Sequence, residues 1–365
     1  MEPTRATSST SGSARPPVVV LYDDRPDGLT GLKLAALSLR STSPGLDVRA
    51  IVPGAGETFR AWASANGVTL VEPPRTLHAT GWDVKPTVLL HLLDTGADPV
   101  LWFDTDIVAT RDIRALLAPH APEVLIAAEE YFWGYHQGSP ARTTTLGLDV
   151  GRVLPRSLNS GVLRVSSVHR PLLEAWARVL ASPAYTAAQD APIPRRPIAY
   201  LGDQEVLGGL LGSRTHADVP LVQLRRGVDI AQCFGPSGFT VAERWAARDR
   251  LPALVHAMGR KPWNRPEAGR GGPGRRLATW WEQVHLDLTP YVEAARPHLD
   301  GLDEPIDWVG PLTRSGRLLA RIGSPALREL PLVLVDTSQR GMRRALGIRQ
   351  VPAEAAPSAA RGQPR

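Results

Sequence analysis

Residues 100–106 read Val100-Leu101-Trp102-Phe103-Asp104-Thr105-Asp106, four apolar residues that stop at two carboxylates. A short apolar run with polar residues at its end predicts a buried strand. In the extended segment that follows, side chains two residues apart point to the same face, so Asp104 and Asp106 can present both carboxylates to one ion. An Asp-x-Asp pattern occurs about once by chance in a chain of this length, so the pattern gains its weight from its place after a buried strand.

On both sides of this segment, apolar runs typical of strands alternate with helical patterns. Strands are predicted at 18–22, 47–52, 68–71, 124–128, 161–165, 221–224 and 253–257, and helices at about 29–39, 58–66, 85–94, 171–181 and 204–211. This alternation predicts an α/β fold with a mostly parallel central sheet. Open sheets of this kind bind ligands at the carboxyl ends of their strands, which is where Asp23-Asp24 and Asp104-Thr105-Asp106 stand.

The length of 365 residues suits one large domain with a tail. We assign residues 1–17, rich in Ser, Thr and Pro, to a disordered leader, and residues 18–300 to the α/β domain. Residues 301–365 form an Arg- and Pro-rich extension, which we expect to be irregular or helical and partly disordered. The sequence has no apolar run long enough for a signal peptide or a membrane-spanning helix.

The net charge of +6 comes from residues 311–365, where ten Arg face Glu329, Asp336 and Glu354. The rest of the chain is close to neutral and lacks aromatic residues interleaved with basic ones, so we expect no nucleic-acid partner. The Arg-rich extension could make a weak peripheral contact with an anionic membrane surface, although a solvated, disordered tail is the simpler explanation. One cysteine, Cys233, leaves no internal disulfide and indicates a cytoplasmic protein.

A second segment with chemical content follows the strand predicted at 253–257. His256 offers an imidazole as a third metal ligand, Gly259 permits close approach of the backbone, and Lys261 offers a charge for phosphate. A lone His at a strand end is often only structural. Lys261, however, is one of just three lysines in a chain that otherwise uses Arg.

Four segments occur in a characteristic order: Phe103-Asp104-Thr105-Asp106, Asn159-Ser160-Gly161-Val162-Leu163, Gly202-Asp203-Gln204-Glu205-Val206-Leu207 and His256-Ala257-Met258-Gly259-Arg260-Lys261-Pro262-Trp263. In order and spacing they resemble the motifs of glycosyltransferase family 8, over about residues 18–265. The resemblance implies a GT-A fold, a Rossmann-like domain that binds nucleotide sugars. It also implies Mn²⁺ (or Mg²⁺) as cofactor and transfer of a hexose, from UDP-glucose or UDP-galactose, to an acceptor hydroxyl with retention.

Carried across by position, the resemblance assigns a role to each matching residue. The metal ligands are Asp104, Asp106 and His256. Contacts to the donor nucleotide and sugar come from Asp23, Asp24, Lys85, Asp104, Thr105, Asn159, Ser160, Gly161, Gly259 and Lys261. The catalytic pair beside the sugar hydroxyls and the anomeric carbon is Asp203 and Gln204.

Simpler interpretations stay open for several of these residues. Asn159-Ser160-Gly161 could form only a turn, Asp203 could cap the helix that follows it, and Lys85 could be a solvated first-turn residue. The acceptor could be a small molecule, a glycan or a peptide, and the aromatic run at 131–136 could form its platform. Two other functions also remain. A noncatalytic protein could bind nucleotide sugars or carbohydrates, and a sugar-phosphate nucleotidyltransferase would usually have a Gly-rich basic loop where Asp23-Asp24 stand.

Overall fold

The computed structural model describes residues 16–130, 137–267 and 272–345. Its strands are β1 (Val18–Tyr22), β2 (Val48–Ile51), β3 (Thr69–Leu70), β4 (Val100–Phe103), β5 (Ile107–Ala109), β6 (Leu125–Glu130), β7 (Ser157–Val165), β8 (Leu221–Leu224), β9 (Ile230–Gln232) and β10 (Leu254–His256). Seven of them form the central sheet, in the order β3-β2-β1-β4-β7-β6-β8. The other three form a small sheet in the order β5-β10-β9.

The central sheet is mostly parallel, which confirms the predicted fold class. β1 pairs in parallel with β2 and β4, β2 with β3, and β6 with β8. β7 runs antiparallel between β4 and β6. It also begins at Ser157, four residues before the predicted start at 161. The polar segment Asn159-Ser160 lies inside this strand, and every residue of the strand is buried. The alternative of a turn at this place is therefore wrong.

The helices are α1 (Leu29–Thr42), α2 (Glu57–Ala65), α3 (Lys85–Asp94), α4 (Arg114–Leu117), α5 (Ala141–Thr145), α6 (Arg170–Leu180), α7 (Pro183–Gln189), α8 (Asp203–Gly212), α9 (Val241–Ala246), α10 (Pro273–Leu288), α11 (Pro290–Ala295), α12 (Arg314–Leu319) and α13 (Leu330–Ala345). The five predicted helices correspond to α1, α2, α3, α6 and α8. None of the described helices combines the length and hydropathy that a membrane span needs.

The core lies on both faces of the central sheet, as alternation along β1 shows. Val18, Val20 and Tyr22 pack with the cluster beneath α3, α6 and α8, whereas Val19 and Leu21 pack with the cluster beneath α1 and α2. Successive strand residues point to opposite faces, and both faces are covered by helices. The carboxyl ends of β1 and β4 therefore meet at one edge of a rigid sheet.

The chain after residue 272 packs on the small sheet. Tyr291 and Val292 of α11 share a buried cluster with Val108 of β5 and Val255 of β10. The boundary that we predicted at residue 300 falls within a 3-10 helix, Arg296–Gly301. The predicted leader at 1–17 lies almost entirely outside the described residues.

Candidate metal centre

The fold brings the three predicted metal ligands together from two separate parts of the chain. Asp104 and Asp106 lie in the turn that joins β4 of the central sheet to β5 of the small sheet. His256 ends β10, where it pairs with Ile107 of β5. One ligand atom from each of the three side chains lies within 4.8 Å of the other two. The group can therefore hold a single metal ion.

Backbone hydrogen bonds set the positions of these ligands. The amide of Asp104 donates to the carbonyl oxygen of Gly161 at 2.7 Å, which extends the β4–β7 ladder by one residue. The amide of Ala257 donates to the carbonyl oxygen of Asp106 at 2.9 Å. Backbone hydrogen bonds to neighbouring strands thus hold both Asp104 and Asp106, so the positions of their carboxylates depend little on the turn between them.

Two further observations fit an ion at this place. The Nδ1 atom of His256 is buried and has no hydrogen-bond partner among the described residues, while Nε2 lies 3.1 Å from Asp106 Oδ1. A Cβ atom on Gly161 would lie 2.9 Å from Asp104 Oδ2 and 3.0 Å from His256 Cε1. Glycine thus keeps open the space between two of the ligands. Two carboxylates and one imidazole form a donor set that suits a divalent ion such as Mn²⁺.

Lys85 lies behind the carboxylates as a buried cation. It is the first residue of α3 but only 3% exposed, so its interpretation as a solvated first-turn residue is wrong. Its Nζ donates to Ser160 Oγ at 2.7 Å and lies 3.3 Å from Asp104 Oδ1 and 3.5 Å from Asp203 Oδ2. Burial alone would lower the pKa of Lys85, but Asp104 and Asp203 outweigh burial and raise it. The ammonium therefore stays charged.

Asp203 joins the same network from α8. It is the first residue of that helix and its side chain makes no cap, because the N-cap position belongs to Gly202. Its Oδ2 accepts a hydrogen bond from Ser160 Oγ at 2.7 Å. Burial raises the pKa of Asp203 even though Lys85 opposes this effect. Gln204, the other predicted catalytic residue, is half-buried on the first turn of α8.

Lys261 reaches the centre from the loop after β10. Its Nζ contacts Asp106 Oδ2 and donates to the carbonyl oxygen of Ala257 at 2.6 Å. Burial would raise the pKa of Asp106, but Lys261 and His256 hold it well below its usual range. Gly259, two residues before Lys261, has φ +78°, a conformation that favours glycine.

Asp23 and Thr105, both predicted to contact the donor, are hydrogen-bonded to each other. The side chain of Asp23 is fully buried and accepts hydrogen bonds from Arg25 and from Thr105 Oγ1, the latter at 2.7 Å. Asp24 is more open, and its Oδ2 accepts from the amide of Gly81 at 2.8 Å. The structure thus gives Asp23 and Thr105 a role in positioning the loops, while donor contacts by these residues stay predictions.

Asn159 has a partner that we did not predict. Its Nδ2 donates to Glu130 Oε2 at 2.8 Å, and its Oδ1 accepts from the amide of Gly161 at 3.0 Å. Glu130 is 2% exposed at the end of β6. Burial is the main cause of the raised pKa of Glu205 in α8, and repulsion from nearby Glu130 raises it further. The strand-end rule that selected Asp104 could have selected Glu130 as well.

Two other expectations concern peripheral segments. The aromatic run at 131–136, a predicted acceptor platform, lies outside the described residues. In the extension, Arg340 forms an ion pair with Asp336 at 3.1 Å on α13. Membrane contact by this segment stays a prediction.

No family model and no curated protein matches the sequence. Solved structures do resemble the fold. The galactosyltransferase LgtC, in complex with donor and acceptor sugar analogs, is 19% identical with a TM-score of 0.44, and the alignment covers 80% of this chain and 98% of LgtC. The bifunctional glycosyltransferase WbbM is 15% identical with a TM-score of 0.45, and the alignment covers 79% of this chain but only 53% of WbbM. For the glycosyltransferase GlyE of Streptococcus pneumoniae the identity is 15% and the TM-score 0.40, with coverage of 78% of this chain and 63% of GlyE.

All three are glycosyltransferases by name, the class that the motif resemblance implied. At these identities and TM-scores the likeness is one of general architecture, and the chemistry rests on the side chains of the centre.

Proposed function

We propose that this chain is a cytoplasmic glycosyltransferase that moves a hexose from a nucleotide sugar to an acceptor hydroxyl, with a divalent cation as cofactor. UDP-glucose and UDP-galactose are the donors that we expect. The observation that carries the proposal is the convergence of Asp104, Asp106 and His256 at the carboxyl edge of the sheet, with two lysines beside them. Such a centre suits a substrate that contains a diphosphate.

The chemical problem of glycosyl transfer is the negative charge that develops on the departing diphosphate. Asp104, Asp106 and His256 would hold a Mn²⁺ ion, which would supply Lewis-acid stabilisation of the diphosphate. Lys261, on the loop above Asp106, would donate to the same phosphates. Preorganised charges in a partly buried site stabilise developing charge more than water does, so this electrostatic contribution should be the largest in catalysis.

Asp203 and Ser160 form the part of the centre that we assign to the sugar. Lys85 and Ser160 hold the Asp203 carboxylate in place, so its remaining capacity as an acceptor suits sugar hydroxyls better than nucleophilic attack. We therefore propose a front-face reaction with retention. The acceptor oxygen bonds to the anomeric carbon, the bond from that carbon to the diphosphate breaks, and the diphosphate takes the acceptor proton. A product with inverted anomeric configuration would overturn this mechanism.

The first experiment is a screen of purified protein with Mn²⁺ against a panel of nucleotide sugars, in which release of free nucleotide is followed. We expect release with one UDP-hexose, loss of release when the metal is chelated, and a loss of about 10²–10³-fold in Asp106→Asn, typical for removal of one charge-stabilising group. Asp112→Asn is a matched control, because Asp112 lies after β5 and pairs with Arg114 outside the centre.

The alternatives give different outcomes in the same screen. A noncatalytic binding protein would show affinity for the nucleotide sugar without release, even when candidate acceptors are added. A nucleotidyltransferase would act on the nucleotide sugar only with added pyrophosphate, and would then release a sugar phosphate and a nucleoside triphosphate rather than a free nucleoside diphosphate. Absence of both metal-dependent binding and release would refute the proposed function.

A further inference from the structure

The two metal-binding carboxylates are each already paired with a lysine. Lys85 Nζ lies 3.3 Å from Asp104 Oδ1, and Lys261 Nζ contacts Asp106 Oδ2. His256 Nε2 lies 3.1 Å from the other oxygen of Asp106. Both oxygens of Asp106 therefore have partners before any ion arrives.

The two lysines differ in how firmly they are held. Lys85 is the first residue of α3, its side chain is 4% exposed, and it also bonds Ser160 and Asp203. Lys85 would keep Ser160 and Asp203 as partners if the Asp104 side chain rotated to bind an ion. Lys261 stands on a loop, its side chain is 18% exposed, and its contacts are Asp106 and the Ala257 carbonyl. Lys261 is therefore the cation that an arriving ion would displace.

The loop around Lys261 is built so that only a short segment needs to move. Trp263, just after it, donates from Nε1 to the carbonyl of Asp27 at 3.0 Å and packs against Tyr291 and Trp308. Gly259, just before it, has φ +78°. Trp263 thus fixes the chain after Lys261, whereas Gly259, before it, has a backbone with little steric restriction.

Electrostatics then links the ion to the donor. Two cations on one carboxylate repel each other, so an ion that binds alone must displace the Lys261 ammonium from Asp106. Arg25 and the buried hydroxyl of Tyr291 also face Asp106 at longer range, and neither supplies a negative charge. A diphosphate on the ion does supply one, within reach of the loop.

We propose that Lys261 occupies the cation position of Asp106 in the empty protein and moves to the diphosphate when the donor binds, so that it couples metal binding to nucleotide binding. This inference rests on the proposed function and names Lys261 as its coupling residue. Coupling free energies are reciprocal: if UDP strengthens the binding of Mn²⁺, Mn²⁺ strengthens the binding of UDP by the same factor.

The test is calorimetric titration of Mn²⁺ into the full-length protein, with and without saturating UDP, in wild type and Lys261→Met. Methionine keeps the length of the side chain and removes the charge. We expect the variant to bind Mn²⁺ alone about tenfold more tightly than wild type, because the competing cation is gone. Its affinity for UDP should fall, and the UDP-dependent gain in Mn²⁺ affinity should shrink to the part that direct contact between the ion and the diphosphate supplies. None of these readouts requires turnover.

Lys261→Arg is the matched control, since it keeps the charge and should retain weak Mn²⁺ binding that UDP strengthens. Thermal unfolding of both variants verifies that they fold. Equal or weaker Mn²⁺ binding by Lys261→Met, in a wild type that binds the ion, would overturn the coupling and leave the proposed function standing. A wild type that binds no Mn²⁺ even with UDP would overturn both.

Discussion

Two clusters of charged side chains in this protein have similar chemistry and different surroundings. The site cluster comprises Asp104, Asp106, Asp203, Lys85 and Lys261, at the edge of the central sheet. The anchor cluster comprises Arg244 of α9, His285 of α10 and Glu329 just before α13. The anchor cluster connects α9, α10 and the start of α13, and the side chains of Arg244 and Glu329 are completely buried.

In the anchor cluster, hydrogen bonding is complete. Arg244 Nη2 donates to Glu329 Oε2 at 2.6 Å, and the guanidinium also donates to the carbonyls of Phe239, Ala326 and Pro236. His285 Nδ1 contacts the other oxygen of Glu329. Burial would raise the pKa of Glu329, but His285 and Arg244 outweigh burial and lower it. A cluster of this kind has no capacity left for a ligand.

In the site cluster, the negative and positive charges do not balance, and two of the carboxylates are partly exposed to solvent. Three carboxylates face two lysines, and the side chains of Asp104 and Asp106 are 26% and 16% exposed. His256 beside them has a buried Nδ1 without a partner among the described residues. Buried charge alone therefore does not indicate a functional site. An excess of one sign that remains open to solvent is what indicates a ligand.

The largest effect on stability should come from breaking the anchor cluster. Glu329→Ala leaves Arg244 buried without its carboxylate, and removal of one partner of a buried pair costs about 3–5 kcal/mol of unfolding free energy. Urea unfolding at pH 7 measures it. Because the folded pKa of Glu329 is lowered, its contribution is present above the unfolded pKa and is lost as pH falls through the folded value, so the gap to wild type should shrink in acid.

Glu293→Ala is the control for this variant. Glu293 pairs with Arg328 but its side chain is 30% exposed, so its loss should cost below about 1 kcal/mol. Equal effects in the two variants would mean that the distinction between closed and exposed pairs fails here.

A smaller effect is expected from closing the open space in the site cluster. In Gly161→Ala the new Cβ would lie 2.8 Å from Asn159 Oδ1 and 2.9 Å from Asp104 Oδ2, so these side chains must shift. We expect a cost of about 1–3 kcal/mol in unfolding free energy, typical of overpacking, together with weaker Mn²⁺ binding. Gly274→Ala on α10, where a Cβ would meet nothing within 4 Å, should change neither. Unchanged Mn²⁺ affinity in Gly161→Ala would contradict the assigned ligand geometry.

The smallest effect should come from Asp83, which adjoins the site cluster. Its Oδ1 accepts from the Tyr185 hydroxyl at 2.6 Å, and burial raises its pKa from 3.8 to about 6. A raised carboxyl pKa costs stability once the group ionises, so the cost appears as pH rises above 3.8 and is complete above 6. Asp83→Asn should therefore be more stable than wild type at pH 8, by about 1 kcal/mol after allowance for solvent screening, with little difference near pH 4.

Melting temperatures at the two pH values measure this effect. Asp112→Asn should show the opposite sign, because hydrogen bonds from Arg114 lower the pKa of Asp112. A variant Asp83→Asn that is less stable than wild type at pH 8 would show that the carboxylate is needed for its bond to Tyr185.

Much of the fold could be predicted because its main elements carry strong local patterns. β1, β4, β8 and α3 have the bounds that the sequence predicted, since β1 and β4 are continuous apolar runs, β8 is apolar at three of its four positions and α3 has a clear helical period. β5 and β9, of three residues each, were not predicted, whereas the equally short β10 lies inside the longer stretch predicted at 253–257. α10 was not predicted, and α13 was predicted only as part of an irregular or helical extension, because the exposed residues of both helices interrupt the apolar pattern.

The sequence alone determined the identity and order of the chemical groups: carboxylates after β4, an imidazole at the end of β10 and a lysine retained at 261. Tertiary structure decided which of them meet. Only the pairing of β10 with β5 places His256 beside Asp106, and only the reversed strand β7 brings Gly161, Ser160 and Glu130 to the same edge. The physical reason is that local patterns encode secondary structure and burial, whereas contact between groups more than a hundred residues apart depends on which strands pair and in which register.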